Sequence, residues 1–179
     1  MTNFPYLTEQ NDSYLFSPKL ISQEVLAALP DGYILRPLKR DDYNKGFIEV
    51  LGQLSVTGQT SQDLFEERFD TMKQLGCYYL VCIESLGEVV ACATLIVEHK
   101  FLHNCGQSGH IEDVVVSDTQ RGKKLGKRLI DQLTYMAQVL GCYKVILNCK
   151  EHNIPFYEKC DLQVAQVQMS NYFDRKNIK

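Results

Sequence analysis

Hydrophobic and polar residues follow two spacings along the chain, one typical of strands and one typical of helices. Runs rich in β-branched residues predict strands at 33–38, 77–83, 89–101, 111–116, 143–149 and 164–172. Helical spacing behind capping residues such as Ser17 and Ser61 predicts helices at 18–29, 41–54, 61–75 and 125–140, and a short one from Pro155. This order predicts an α/β domain in which an early meander gives way to strand–helix–strand crossovers.

A short basic loop joins the strand predicted at 111–116 to the helix that begins at Leu125. The loop and the first helical turn hold two glycines and five cations: Gly122, Gly126, Arg121, Lys123, Lys124, Lys127 and Arg128. Backbone N–H groups at a helix start, the positive end of the helix dipole and nearby cations together form an anion site. The pattern therefore predicts a site for a phosphorylated ligand, although a solvated basic helix start stays open as the simpler reading.

Two familiar phosphate loops do not fit this stretch. The two glycines are one residue too close for a nucleotide-triphosphate loop, and Arg128 stands where a magnesium-binding hydroxyl is needed. The glycine pattern of dinucleotide-binding folds is also missing. A nucleotide hydrolase is therefore a remote alternative.

Composition limits the class of protein further. With 179 residues, the chain is predicted to form an N-terminal extension over 1–17 and a single domain over 18–179. The net charge of −3 makes the basic loop a local feature, which argues against nucleic-acid binding and favours one small anionic ligand. Neither a signal peptide nor a membrane-inserting segment is predicted.

Cysteine usage indicates a reducing compartment. Seven cysteines are scattered without a C-x-x-C pair, most of them within apolar runs. Free thiols fit this pattern better than a disulfide framework or a zinc site. We therefore expect a soluble cytoplasmic protein without a metal. Cys149, at the end of a predicted strand, is either an inert thiol or a redox-active one.

Several motifs together resemble a known family. The basic loop resembles the Gln/Arg-x-x-Gly-x-Gly/Ala pyrophosphate loop of GNAT acetyltransferases, with Arg121 first, Gly126 last and Lys124 where a glycine is expected. The segments at 98–103, 109–114, 141–144 and 156–160 read EHKFLH, GHIEDV, GCYK and FYEKC. In register, they resemble the glucosamine 6-phosphate N-acetyltransferase family, and the likeness covers roughly residues 33–169.

This resemblance implies a fold and a reaction. The fold would be the GNAT fold, a mixed central sheet flanked by helices. The reaction would be transfer of an acetyl group from acetyl-CoA to the 2-amino group of D-glucosamine 6-phosphate, by direct attack in a ternary complex, on the route to UDP-N-acetylglucosamine. A homodimer with shared active sites is also implied. An acetyltransferase for another amine, or a catalytically silent acyl-CoA-binding module, stays open.

The resemblance also assigns the cofactor. Backbone N–H groups of the loop would bind the CoA pyrophosphate. The implied cofactor-binding residues are Val114, Val116, Arg121, Gly122, Lys123, Lys124, Leu125, Gly126, Lys127, Asn153 and Tyr157. Tyr157 would also be catalytic, because its hydroxyl can stabilise or protonate the leaving thiolate.

The sugar site is assigned in the same way. Glu112 and Asp113 would be catalytic, binding sugar hydroxyls and ammonium and assisting deprotonation; as neighbours in a strand they are expected on opposite faces. The implied substrate-binding residues are Ser55, Lys100, Phe101, Leu102, His103, Glu112, Asp113, Val114, Tyr143, Lys144 and Arg175. Arg175 is the nearest cation to the family's usual Met-x-x-Arg ending, from which this chain departs after Met169.

Overall fold

The computed structural model describes residues 13 to 173, and a mixed five-stranded sheet forms its framework. The strands are β1 (Tyr33–Pro37), β2 (Tyr78–Ser85), β3 (Glu88–His99), β4 (Gln107–Val116) and β5 (Cys142–Leu147). They lie in chain order, antiparallel from β1 to β4, with β5 parallel to β4. The mixed sheet expected from the sequence is therefore confirmed.

Six helices precede, connect or follow these strands in the described part of the chain. They are α1 (Gln23–Ala27), α2 (Phe47–Gly52), α3 (Gln62–Leu75), α4 (Leu102–Cys105), α5 (Leu125–Val139) and α6 (Ile154–Glu158). Ser61 caps α3 as predicted, because its side chain accepts a hydrogen bond from the Leu64 N–H. Within residues 13–173, no helix has both the length and the hydrophobicity that crossing a membrane requires.

Two predicted helices are each interrupted. In the first, Ser17 caps a 3-10 turn over Pro18–Leu20, and Ser22 then caps α1 separately. In the second, a 3-10 turn over Arg40–Lys45 ends at Gly46, whose φ of 79° starts α2 in a new direction. Hydrophobic spacing predicted the helical content but was wrong about its continuity, since spacing does not register a second cap or a left-handed glycine.

The strand predicted at 164–172 is not formed in this single chain. Residues 162–173 have no regular secondary structure, and the side chains of Val167 and Met169 are 91% and 93% exposed. An alternating pattern predicts a strand, but a strand also needs a partner for its backbone hydrogen bonds. The strand predicted at 111–116 is longer than expected, because β4 already begins at Gln107.

Two compact units divide the chain, one ending at Leu147 and the other beginning at Asn148. The first contains the sheet and α1 to α5, and the second contains α6. The predicted division into an extension and one domain from residue 18 stays a prediction.

Helix α5 packs directly on the sheet of the first unit. Its buried face consists of Leu125, Leu129, Ile130, Leu133, Met136 and Ala137. Gly109 of β4 lies opposite, and a Cβ atom there would stand 2.9 Å from Leu95, 3.1 Å from Val145 and 3.3 Å from Ala137. Glycine therefore allows β4 and α5 to approach more closely than any other residue would.

The N-terminal segment is fastened to this helix by a buried amide. The side chain of Gln132 accepts a hydrogen bond from the Ser22 N–H and donates one to the Leu20 carbonyl, both at 2.9 Å. Further upstream, the Leu15 N–H donates to the Leu38 carbonyl, and the Leu15 side chain is buried in the core. Leu15 thus belongs to the core, although its surroundings in the sequence gave no sign of this.

Two cysteines lie in the core as free thiols. Cys82 of β2 and Cys92 of β3 are buried and stand opposite each other in the sheet. Burial raises the pKa of both thiols, so they stay protonated and unreactive at neutral pH. These two positions confirm the expectation of free, buried thiols, whereas Cys105 and Cys149 are exposed.

A buried ion cluster joins β1, β2 and the turn between β1 and α2. Arg36 donates two hydrogen bonds of 2.7 Å to Asp42 and further bonds to Glu84, while Asp42 also accepts from the Lys39 N–H. Burial alone would lower the pKa of Arg36, but the hydrogen bonds and charge of Asp42, together with the hydrogen bond to Glu84, raise it above its ordinary value. The guanidinium therefore stays charged inside the fold.

Replacing Asp42 should destabilise the protein strongly. Asp42 is fully buried, so Asp42→Ala leaves the Arg36 guanidinium without its main counter-charge and should lower the free energy of unfolding by about 3–5 kcal/mol. Chemical denaturation measures this change. Asp41→Ala is the matched control, because that side chain is 61% exposed and pairs with Lys45 at 3.0 Å; its cost should stay below about 1 kcal/mol. Equal losses in the two variants would contradict the role given to the buried cluster.

Candidate active site

Strand β4 continues beyond the end of its neighbour β5. The pairing of the two strands runs from Gln107 opposite Cys142 to Ile111 opposite Leu147, where β5 ends. Residues 112–116 of β4 therefore have no strand on that side within the described sheet. Their backbone N–H and C=O groups form an open edge that can pair with amide groups of a ligand.

A β-bulge lies on this open stretch. Glu112 pairs with Thr94 and Val115 pairs with Cys92, so Asp113 and Val114 together stand opposite one residue of β3. Asp113 has a φ of 53°, a left-handed conformation that aspartate tolerates better than most residues. The bulge interrupts the regular alternation of the strand at Asp113 and Val114, and the expectation that Glu112 and Asp113 point to opposite faces stays a prediction.

The carboxyl group of Glu112 is perturbed by its surroundings. Burial, together with the negative charge of Asp113, raises the pKa of Glu112, and His110 only partly offsets this effect. A carboxyl group whose pKa is raised is a better proton acceptor when it is ionised. A raised pKa is one property expected of a general base, and the catalytic role of Glu112 stays a prediction.

The loop after β4 leads into an uncapped helix. The Ser117 N–H donates to the Val90 carbonyl, a 3-10 turn over Asp118–Gln120 follows, and α5 begins at Leu125. At the helix start, Lys124 makes no side-chain capping hydrogen bond, and the first turn contains no acidic residue. An uncapped helix start of this kind can bind an anion through its N–H groups, and the anion site expected here stays a prediction.

Lys124 occupies the position where the resemblance expects a glycine. Its φ of 60° is the left-handed value that a glycine would adopt without strain, and Gly122 nearby has a φ of 82°. The backbone of the loop therefore takes a glycine-like path with a lysine in place. A lysine in this left-handed conformation carries backbone strain that a glycine would not.

Two side chains from distant segments hold the loop. Gln53, directly after α2, accepts a hydrogen bond of 2.8 Å from the Asp118 N–H. Tyr33, at the start of β1, contacts both Gln120 and Lys123 at 2.6 Å. Sequence analysis missed Gln53 and Tyr33, because nothing in their local patterns links them to the loop, and it assigned no role to Gln120, which directly precedes Arg121. Ser55, a predicted substrate-binding residue, is exposed and lies two residues after Gln53.

The cations predicted to bind the sugar phosphate have partners of their own. Lys100 pairs with Glu98 at 2.6 Å, and Glu98 also contacts His110 of β4 at 2.8 Å. Hydrogen bonds from Lys100 and His110 lower the pKa of Glu98 below its ordinary value. Glu98 and His110 are thus additional members of this group. Glu98 stands two residues before Lys100, a spacing that could have pointed to it.

His103, Tyr143 and Lys144 lie together beside this group. The rings of His103 and Tyr143 are 4.2 Å apart, and the Lys144 ammonium lies 5.7 Å from the Tyr143 ring centre. His103 has a left-handed φ of 53°, and a Cβ atom on Gly106 would come within 2.9 Å of the His103 carbonyl. This tight turn brings three of the predicted substrate-binding residues into one place.

Phe101 and Leu102, also predicted to bind substrate, are strongly exposed in the same connection, at 96% and 69%.

Elsewhere in the first unit, a cavity of about 370 Å³ is lined by residues that were not predicted to bind substrate or cofactor: Tyr43, Asn44, Gly46, Ile48, Glu49, Gly58, Gln59 and Thr60. In the described part of the chain, no group of three or more His, Cys, Asp or Glu side chains could hold a metal ion.

The remaining predicted residues belong to the second unit or lie outside the described residues. Tyr157 is half-buried in α6, and burial, together with Cys149 and Cys160, raises the pKa of its hydroxyl. Asn153 precedes α6 but makes no capping hydrogen bond through its side chain. Arg175 and residues 1–12 lie outside the described residues, so their predicted roles stay predictions.

Comparison with known proteins identifies the class of this fold and site. A model of the acetyltransferase (GNAT) family matches residues 39–162. The chain therefore belongs to the GNAT acetyltransferase family. The match includes the basic loop, whose role in binding pyrophosphate stays a prediction.

Individual relatives narrow the position within the family. A glucosamine 6-phosphate N-acetyltransferase of Arabidopsis thaliana is 44% identical over 149 residues, covering 82% of this chain and 100% of the relative. A glucosamine 6-phosphate N-acetyltransferase 1 of Dictyostelium discoideum is 45% identical, covering 79% of this chain and 92% of the relative. The crystal structure of the enzyme from Arabidopsis thaliana matches 79% of this chain and 99% of its own with a TM-score of 0.78 and 45% identity. Within the GNAT family, the chain groups with the glucosamine 6-phosphate N-acetyltransferases.

Replacing Lys124 by glycine should stabilise the protein. The left-handed φ costs a lysine more than a glycine, so Lys124→Gly should raise the free energy of unfolding by about 0.5–1 kcal/mol after the extra freedom of glycine in the unfolded chain is counted. Thermal and urea denaturation measure the change. Lys124→Ala is the matched control, since it removes the same charge but keeps the Cβ atom. A similar gain in Lys124→Ala would assign the effect to charge and not to backbone strain.

Proposed function

We propose that this protein transfers the acetyl group of acetyl-CoA to the 2-amino group of D-glucosamine 6-phosphate. The observation that carries the proposal is the start of α5, where Lys124 makes no capping hydrogen bond and the first turn contains no acidic residue, at the end of a lysine-rich strand–loop–helix connection. The family membership and the names of the relatives support the same reaction. On this proposal the protein acts in the synthesis of UDP-N-acetylglucosamine.

The cofactor would be bound by two parts of the first unit. The loop from Arg121 to Lys127 would hold the pyrophosphate through its N–H groups and cations. The open edge of β4 over residues 112–116 would pair with the amide groups of the pantetheine arm, as an added strand pairs with a sheet edge. When bound, acetyl-CoA supplies the activated acetyl group, and these residues orient it.

The sugar would be bound by charges of both signs. Lys100, His103 and Lys144 offer cationic or hydrogen-bonding groups to the phosphate, and the turn at Gly106 holds His103 against Tyr143. Glu112 and Asp113 would bind the hydroxyls and the amino group. Only a neutral amine can attack a thioester, so a carboxylate at Glu112 would accept the proton that the ammonium must lose.

Tyr157 would complete the chemistry at the leaving group. Because its pKa is raised, the hydroxyl stays protonated at neutral pH and can donate a hydrogen bond or a proton to the thiolate of CoA. Attack by the amine and departure of the thiolate would then proceed without a covalent enzyme intermediate.

A homodimer would cover the hydrophobic residues that one chain leaves exposed. Four hydrophobic side chains are 71–96% exposed: Val164, Val167 and Met169 in the final segment, and Phe101 next to Lys100. Exposed hydrophobic surface of this kind marks an interaction site, and a second copy of the chain is the occupant we propose. Sedimentation velocity should give the mass of two chains at assay concentrations; a monomer mass would contradict the dimer.

The free core thiols support a reducing location such as the cytoplasm, which cell fractionation would test.

The reaction is tested by release of CoA thiol from acetyl-CoA with glucosamine 6-phosphate and glucosamine in parallel. Fast release that requires the phosphorylated sugar is the expected result, because three of the proposed substrate ligands can bind phosphate. Equal rates with both sugars would remove the phosphate role from these residues. Binding of acetyl-CoA without turnover on either sugar would favour a silent acyl-CoA-binding module or another amine.

Tyr157→Phe should reduce kcat by about 10- to 100-fold while changing the KM values little, because the lost hydroxyl acts on the leaving thiolate. Steady-state kinetics with both substrates varied measure the split. Phe156→Leu is the control, since it changes the neighbouring ring of α6 and keeps the hydroxyl. An unchanged kcat in Tyr157→Phe would remove its leaving-group role.

A further inference from the structure

Three side chains form a closed set of hydrogen bonds in front of α5. The Tyr33 hydroxyl donates to the Gln120 side-chain carbonyl and accepts from the Lys123 ammonium, and Lys123 also donates to Gln120. Each of the three distances is 2.6 Å. The ammonium further lies 5.3 Å from the centre of the Tyr33 ring. A residue of β1 thus fixes two side chains of the proposed pyrophosphate loop.

Tyr33 is well suited to act as the fixed partner in this set. It pairs with Ser85 of β2, and its N–H donates to the Pro30 carbonyl across the turn that contains Gly32. Lys123, by contrast, is an exposed residue with a long flexible side chain. A lysine in that situation samples many rotamers, and holding it in one of them reduces the entropy that ligand binding would otherwise lose.

The hydrogen-bond geometry also leaves the lysine able to bind. An ammonium has three N–H donors, and Tyr33 and Gln120 account for two of them. The third can point to an anion at the start of α5, two residues further along the chain. The contacts therefore orient the charge without neutralising it, because both acceptors are uncharged.

We propose that Tyr33 is a positioning residue for the CoA pyrophosphate, acting through Lys123 and Gln120. It sets the Lys123 ammonium and the loop in their binding arrangement before the cofactor arrives. This inference rests on the proposed function, since that function assigns the loop to CoA. It adds a residue from the opposite edge of the sheet to the determinants of cofactor affinity.

The test is isothermal titration calorimetry with CoA on the wild type and Tyr33→Phe. The phenylalanine keeps the ring near the ammonium and removes only the hydroxyl, so the Kd for CoA should rise about 5- to 10-fold, the effect of one or two hydrogen bonds. Tyr135→Phe is the matched control, because Tyr135 is an exposed tyrosine on α5; its Kd should match the wild type. Equal Kd values for the wild type and Tyr33→Phe would overturn the proposal.

Kinetics and a double mutant separate positioning from general stability. In Tyr33→Phe, the KM for acetyl-CoA should rise by the same factor, with kcat and the KM for the sugar unchanged. In a Lys123→Met background, Tyr33→Phe should raise the CoA Kd less than twofold further, because contacting residues are not additive. An undiminished effect in that background, or a loss spread equally over kcat and both KM values, would count against a role through Lys123.

The effect of Tyr33 on CoA affinity and the acetylation of the sugar are tested by separate experiments. Calorimetry uses CoA alone, so the ratio of Kd values reports on Tyr33 whatever amine the enzyme accepts. Absence of sugar acetylation in the wild type would contradict the proposed function, while the Tyr33 ratio would still stand or fall by itself.

Discussion

The site depends on one constraint, namely that β4 extends past Ile111 while β5 ends at Leu147. A strand in the middle of a sheet normally uses both of its edges for pairing, and its backbone is then closed to ligands. Here the last part of β4 keeps one edge open, contains the bulge at Asp113 and leads directly into the loop before α5. The open backbone groups of the strand and the uncapped start of the helix thus belong to consecutive parts of one segment.

Local features of the site could be predicted from the sequence. The β-branched run at Val114–Val116 and the helical spacing from Leu125 are short-range patterns, and they located the strand, the loop and the uncapped helix. The bulge could not be predicted, because an aspartate in a left-handed conformation looks the same in sequence as one in a regular strand. Its position depends on the register with β3, which is a long-range property.

Other parts of the site depend on contacts between residues that are far apart in the chain. Tyr33 and Lys123 are 90 positions apart, and Gln53 and Asp118 are 65 apart. No spacing rule connects such pairs. The final segment shows the opposite error, since its alternating pattern around Val167 predicts a strand for which this single chain provides no partner. The pattern describes what a segment can do, and pairing decides whether it does so.

Gly109 has a consequence for the thermodynamics of ligand binding. Gly109 lets β4 lie close to the last turns of α5 at Ala137, and the buried side chains of Leu125 and Leu129 hold the first turns of the helix in the same core. The start of the helix and the strand edge therefore share one packed core. A ligand that spans both meets a receptor already in its binding shape, so the entropy lost on association comes mainly from the ligand and little from the protein.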